Sequence, residues 1–331
     1  MTTQDVEKPL DRGSAGNQFS RQGVSRLLVR VRPYALYAAF LLLILMFTIL
    51  SPVFFTQGNL ANIGRQTALV SIMAVGMTMV IVTAEIDLSV ASTLALAGMA
   101  AALAMQVYNY WFIGAAAGLA MGALVGWMNG ILITRLLIPS FIVTLGMLGI
   151  CRGIALVVTN TAPVLISNRS FANIFGQGYF LGIPAPICLT IVTLALGIYL
   201  LHLTTFGRKL YAAGGNPTAA RYSGINVANI KTKAFILTGT LAGLAALILS
   251  AFGEASRPDS GVGLELDVIA AVILGGTSLF GGRGTIVGTL IGSLIIGILN
   301  NGLVLVGIDS SWQVAIKGFI IIFAVAFSER K

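Results

Sequence analysis

The sequence predicts an all-α polytopic membrane protein of about ten transmembrane helices, and three observations carry that prediction. Of 331 residues 57% are hydrophobic and 9% charged, against about 25% charged in ordinary soluble domains, so the chain cannot cover itself with a polar surface. Apolar runs of roughly 17 to 22 residues recur along it, each long enough at ~1.5 Å per residue to cross ~30 Å of hydrocarbon. The net charge of +9 gathers in short basic segments beside those runs, which is positive-inside patterning and not a nucleic-acid surface.

Residues 1–33 are polar and rich in Gly, Ser and Gln, with Arg21, Arg26, Arg30 and Arg32 just ahead of the first apolar run. They read as a disordered cytoplasmic tail ending in a membrane anchor, and residues 34–331 as the transmembrane domain. Tyr34 to Phe54 is too long for a signal-peptide core and lacks a small-residue cleavage site, so it is expected to be retained as the first span. Further spans are predicted at 66–83, 91–107, 112–132, 139–159 and 185–204, and, after a polar stretch at 207–233, at 233–253, 265–279, 284–306 and 311–327. An even count puts both termini and the polar stretch on one side, the cytoplasmic one by its basic residues. Because 66–83 and 265–279 are short for a full crossing, eight spans with re-entrant segments is the alternative.

A long polar loop, 160–184, lies opposite; its Asn168-Arg169-Ser170 sequon is read as a chance match. Cys151 and Cys188 fall in apolar segments and read as buried small residues, and the lone His202 makes no metal site. Gly114, Gly118, Gly122, Gly126 and Gly130 recur every fourth residue, as do Gly284, Gly288 and Gly292. Such stripes let a neighbouring backbone approach closely, and their placement suggests a weak internal repeat.

The polar stretch carries Arg208, Lys209, Arg221, Lys231 and Lys233 and no acidic residue. Within it Asn216 followed by Pro217 is a strong helix start: Asn accepts from a free N–H, and Pro has none to satisfy. Gly224 suits a left-handed stop. The spacing predicts a two-turn helix, Pro217–Ser223, about 10 Å long and too short to stand unsupported. Its small residues Ala219, Ala220 and Ser223, preceded by Gly215, would seat in a partner's groove, with Arg221 and Tyr222 supplying contacts. By its residues alone it is equally an ordinary helix lying on the membrane surface.

Glu85 with Asp87, and Glu265 with Asp267, stand at predicted span ends, where an ionised carboxylate costs little; capping or loop contacts are favoured over gating or cation coupling. Candidates for a solute pathway or gate are Thr78, Thr83, Asp87, Ser89, Asn129, Asn300 and Asn301, whose groups would otherwise join helices through bonds worth ~0.6 kcal/mol each. Gly276 to Arg283 is not a phosphate loop, since Gly282 and Arg283 follow Gly281 where Lys and Ser or Thr are required. No nucleophile, metal cluster or cofactor motif is evident, so the chain is expected to be a transporter component and not an enzyme.

GRKLYAAGGNPTAARYSGINV at 207–227 resembles the cytoplasmic coupling loop of permeases of ribose-type ATP-binding cassette sugar importers, within the branched-chain amino acid/ribose permease superfamily. IDLSVAS at 86–92, ELDVIAAVILGGTSLFGGRGTIVGTLIG at 265–292 and ILNNGL at 298–303 are similar to other stretches of that family, and the likeness runs from residue 34 to the end. Glu85 and Ala91 depart from it, standing where members commonly have glycine. The resemblance implies a homodimeric subunit of the bacterial inner membrane, with the coupling helix at Asn216 to Gly224. It implies a cytoplasmic ATPase carrying ATP and Mg, and a periplasmic sugar-binding protein that holds most of the selectivity. The expected substrate is ribose or a related monosaccharide or polyol. The rival is an ion-coupled secondary transporter, which needs a paired intramembrane carboxylate that the charge positions do not suggest.

Overall fold

The computed structural model describes residues 36–327; the predicted tail at 1–33 and the last residues, 328–331, lie outside the described part. Among the described residues, seven helices are long and apolar enough to cross a membrane: α2 (Gln57–Val82), α3 (Val90–Tyr108), α4 (Trp111–Arg135), α5 (Ser140–Val158), α7 (Ala185–Ile198, continued to Leu203 by a π-helical turn), α10 (Val227–Phe252) and α12 (Ile286–Leu305). Three more apolar helices accompany them: α1 (Leu36–Leu50), α11 (Leu264–Leu274) and α13 (Ser310–Phe327). The short helices α6 (Arg169–Ala172), α8 (Thr205–Gly215) and α9 (Pro217–Tyr222) lie in the connections.

α2 is the axis. Its Ile72, Met73, Met77 and Ile81 pack with Val90 and Leu94 of α3, Ala242, Ala245 and Ala246 of α10, Val268 to Ile273 of α11 and Ile296 of α12. Apolar side chains face lipid on the outer helices as well, so this interior is set by shape and close approach more than by hydrophobicity. Both glycine stripes serve that approach. A Cβ on Gly122 would overlap the carbonyl of Gly239, one on Gly126 that of Phe235, and one on Gly292 that of Ala271. The first stripe therefore seats α4 on α10, and the second seats α12 on α11.

Several predicted boundaries move. α2 starts at Gln57 and not at 66: Thr56 caps it, accepting from the Asn59 N–H at 3.4 Å, and its polar first turns find distant partners. The stretch 207–233 is two helices plus the first turns of α10, so Lys231 and Lys233 stand on a spanning helix. The span predicted at 265–279 is an 11-residue helix, about 16 Å long, which ends where Gly276 turns left-handed (φ 86°). A glycine-rich loop follows it to α12. The loop at 160–184 is folded, holding α6, a π-helical turn (Asn173–Gln177) and two-residue strands; β1 (Val164–Leu165) pairs antiparallel with β4 (Ala255–Ser256), and β2 (Tyr179–Phe180) with β3 (Ile183–Pro184). Asn168 of the sequon caps α6, accepting from Phe171 N–H at 3.0 Å, and donates to the Asn109 carbonyl at 2.7 Å. Cys151 and Cys188 are free thiols.

Candidate coupling face and interior polar network

The helix predicted in the polar stretch is present as α9, one residue shorter than expected. Asn216 ends α8, donating its N–H to Ala212 O at 3.1 Å, and starts α9, its Oδ1 accepting from Ala219 N–H at 3.0 Å. Pro217 takes the first helical position. Gly224 (φ 80°) closes it with the paired bonds of a Schellman stop: Gly224 N–H to Arg221 O and Ile225 N–H to Ala220 O, both 3.0 Å. Ser223 Oγ adds a bond to Ala219 O at 3.0 Å.

α9 is not seated through all its small residues. Ala220 points inward at 4% exposure into a cluster with Leu210, Val227, Ile230 and Phe235, so it holds α9 on the body and offers nothing to a partner. The outward face carries Pro217, Thr218, Ala219, Arg221 and Ser223, and Tyr222 at 90% exposure. Arg221 has no ion pair among the described residues. Gly215 is exposed at the α8–α9 junction, while a side chain on Gly214 would meet the Val82 carbonyl at the end of α2. That carbonyl accepts from Gly282 N–H at 2.8 Å. Tyr211 Oη donates to Gly284 O at 2.7 Å, and burial pushes the phenol above its ordinary pKa. The loop 275–285 is thus fastened against α8, joined to α2 at Val82 and to α8 at Tyr211.

Next to α9, the α2–α3 connection is tied on several sides. Glu85 forms an ion pair with Lys231 of α10; Ile86 N–H donates to Ser140 Oγ at 3.3 Å and its carbonyl accepts from Thr144 at 3.4 Å. Asp87, 2% exposed, accepts from Ser89 N–H at 2.9 Å and Ser89 Oγ at 2.6 Å, and Asn129 Nδ2 of α4 donates to Ser89 Oγ at 2.8 Å. Burial drives the Asp87 carboxyl above its usual range, opposed by these hydrogen bonds. Glu85 is thus held by α10, and Asp87 is enclosed by protein and does not stand at an open interface.

The other pathway candidates are distributed and bonded. Thr78 Oγ1 donates to Ala74 O and meets Thr289 Oγ1 of α12, both at 2.7 Å, while Thr83 Oγ1 turns back to Val80 O at 2.8 Å. Asn301 and Asn59 exchange two side-chain bonds of 2.9 and 3.0 Å between α12 and α2. Asn300 Nδ2 donates to Asp267 Oδ2 at 3.2 Å, and Lys317 Nζ of α13 meets the same oxygen at 2.9 Å. Asp267 is buried in the first turn of α11, at the helix start where the sequence places it, and is paired there with Lys317. Lys317 and Asn59 escaped sequence reasoning; a lone lysine inside an apolar run was the available signal for the first.

The fold and this end face define an α-helical membrane protein of the transport-permease class: spanning helices seated on glycine seams, with a capped helix presented at one basic end. A family profile described as Branched-chain amino acid transport system / permease component matches residues 59–325, and the chain belongs to that family. It is 46% identical over 296 residues to the Ribose import permease protein RbsC of Escherichia coli (strain K12), covering 88% of this chain and 92% of that one. It is 42% identical to the protein of the same name from Haemophilus influenzae (93% and 96% covered), and 37% identical to the L-arabinose ABC transporter permease protein AraH of Azospirillum brasilense (94% and 90% covered). No solved structure matches the chain.

Proposed function

We propose that this chain is the membrane-spanning permease subunit of an ATP-binding cassette importer, translocating ribose or a related monosaccharide. The observation that carries the reading is 46% identity to a ribose import permease across nine-tenths of both chains, in a molecule whose basic end presents a capped, outward-facing helix. A periplasmic binding protein delivers the sugar, and a separate ATPase, holding ATP and Mg, docks on α9. The permease acts as a homodimer in the bacterial inner membrane, with α9 and both termini in the cytoplasm. The basic residues of α8 to α10 support that orientation.

Ten crossings belong to this reading, made by α1, α2, α3, α4, α5, α7, α10, α11, α12 and α13. Contacts at the two ends support the count: Val82, Gly214 and Gly282 meet at the basic end, while Asn59 meets Asn301 and β1 meets β4 at the other. The crossing made by α11 is completed by loop 275–285. A weak two-half repeat also belongs here, each half setting a glycine seam after a polar insert.

The test is reconstitution. Purified chain alone in vesicles should accumulate no sugar, and chain copurified with its ATPase and supplied with binding protein and ATP should. The Asp267–Lys317 pair favours a second reading, ion-coupled secondary transport; sugar accumulation by the chain alone under an ion gradient would establish it and overturn the first.

A further inference from the structure

A cleft of about 230 Å³ opens beside α9, between the start of α10 and the turn joining α4 to α5. Its lining combines apolar Leu137, Ile138 and Val227 with the charged side chains of Arg221, Lys231 and Glu85. Glu85 is already committed to Lys231, so the three charges leave one positive charge, on Arg221, whose side chain is exposed. The turn beside it is apolar and exposed. Leu137 is 78% exposed and Leu136 62% exposed, and Leu137 adopts φ 56°, a left-handed conformation that costs a leucine roughly 1–2 kcal/mol. A strained, exposed apolar turn next to an uncompensated guanidinium forms a socket with a greasy wall and a cationic mouth.

We infer that this cleft receives one acidic side chain, a glutamate or aspartate, of the ATP-hydrolysing subunit, which makes the α4–α5 turn a second docking element beside α9. The inference rests on the proposed function. The acidic side chain's methylenes lie on Leu137 and Ile138, and its carboxylate pairs with the Arg221 guanidinium. Charge balance selects the occupant: a carboxylate brings the cleft to neutrality, whereas a lysine or arginine would double its excess.

The test uses the full-length chain purified as a complex with its ATPase. Arg221→Lys puts an amine at the cleft mouth, which a carbodiimide joins to a carboxylate in direct contact. The expected result is a covalent product between position 221 and one acidic residue of the ATPase, mapped by mass spectrometry. It should be lost when Ala228→Trp, on the cleft wall, is added, and weakened by Leu137→Asn, which keeps the left-handed turn and removes the apolar side chain. A complex that forms yet gives no intersubunit product at 221, or only a bond to Glu85 of the same chain, overturns the inference and leaves the proposed function standing. A chain that retains no ATPase overturns both.

Discussion

Removing Lys317 from its pair with Asp267 distinguishes a structural strut from a cation-coupling device. Lys317 Nζ lies 2.9 Å from Asp267 Oδ2, and the two side chains are 19% and 3% exposed. In Lys317→Met the carboxylate keeps one donor, Asn300 Nδ2 at 3.2 Å, while its Oδ1 has none. Breaking a buried pair from one side costs about 3–5 kcal/mol, because the remaining charge is uncompensated. The partly open lysine end argues for the lower figure, about 3 kcal/mol. Adding Asp267→Asn removes the stranded charge and keeps an amide oxygen for Asn300, so the double variant should recover all but about 1 kcal/mol, one net hydrogen bond. Denaturant unfolding in mixed micelles reads both values. Vesicle uptake supplies the functional half: the double variant should import sugar at the wild-type ratio to ATP hydrolysed. A double variant as unstable as Lys317→Met alone would refute the strut reasoning, and loss of uptake in a stable double variant would assign the pair to transport.

Asn216→Ala removes the cap of α9 at a cost of about 1 kcal/mol; the Ala219 amide should exchange faster with solvent and insertion should be unaffected, and unchanged exchange would show the cap to be idle. Gly122→Leu drives a side chain into the Gly239 carbonyl and should destabilise by about 3 kcal/mol, seen as a lower unfolding midpoint, whereas the same change at Gly146, which faces open space, should not. Asn301→Ala strands the side-chain oxygen of Asn59, whose Nδ2 keeps the Phe54 carbonyl at 2.8 Å, and should cost about 1–3 kcal/mol, with the Asn59→Ala, Asn301→Ala pair milder than the single change. A cysteine at Gly215 should be labelled by an impermeant reagent from the cytoplasmic side, and labelling from the periplasm would invert the topology.

What the sequence made legible was local. Asn216, Pro217 and Gly224 act within α9 itself, through bonds spanning five residues or fewer, so their residue types alone announce the helix ends. The glycine stripes announce close approach by the same logic, since an absent side chain is visible without knowing its neighbour. What they approach was not visible: Gly239 and Phe235 face α4 from more than one hundred positions along the chain. The start of α2 was hidden for a related reason. Gln57, Asn59 and Arg65 look like loop residues until Asn301 and Tyr179 are brought against two of them, with Arg65 donating to Tyr179 Oη at 2.7 Å.

The same asymmetry explains why the outward face of α9 was readable and a solute route was not. Polar side chains in spans read as route candidates because a sugar needs hydrogen-bonding groups along its path, and each is costly in hydrocarbon without a partner. Thr78, Asn129, Asn300 and Asn301 have partners on Thr289, Ser89, Asp267 and Asn59, so much of their bonding capacity is used inside this chain, while the side-chain oxygens of Asn129 and Asn300 are buried without a partner. A route for a solute that must leave as readily as it arrives needs few such groups, and a weakly decorated wall has no sequence signature to find. Arg221 is the opposite case. Held outward by the caps of α9 and by buried Ala220, with no ion pair among the described residues, its guanidinium keeps its bonding capacity unspent.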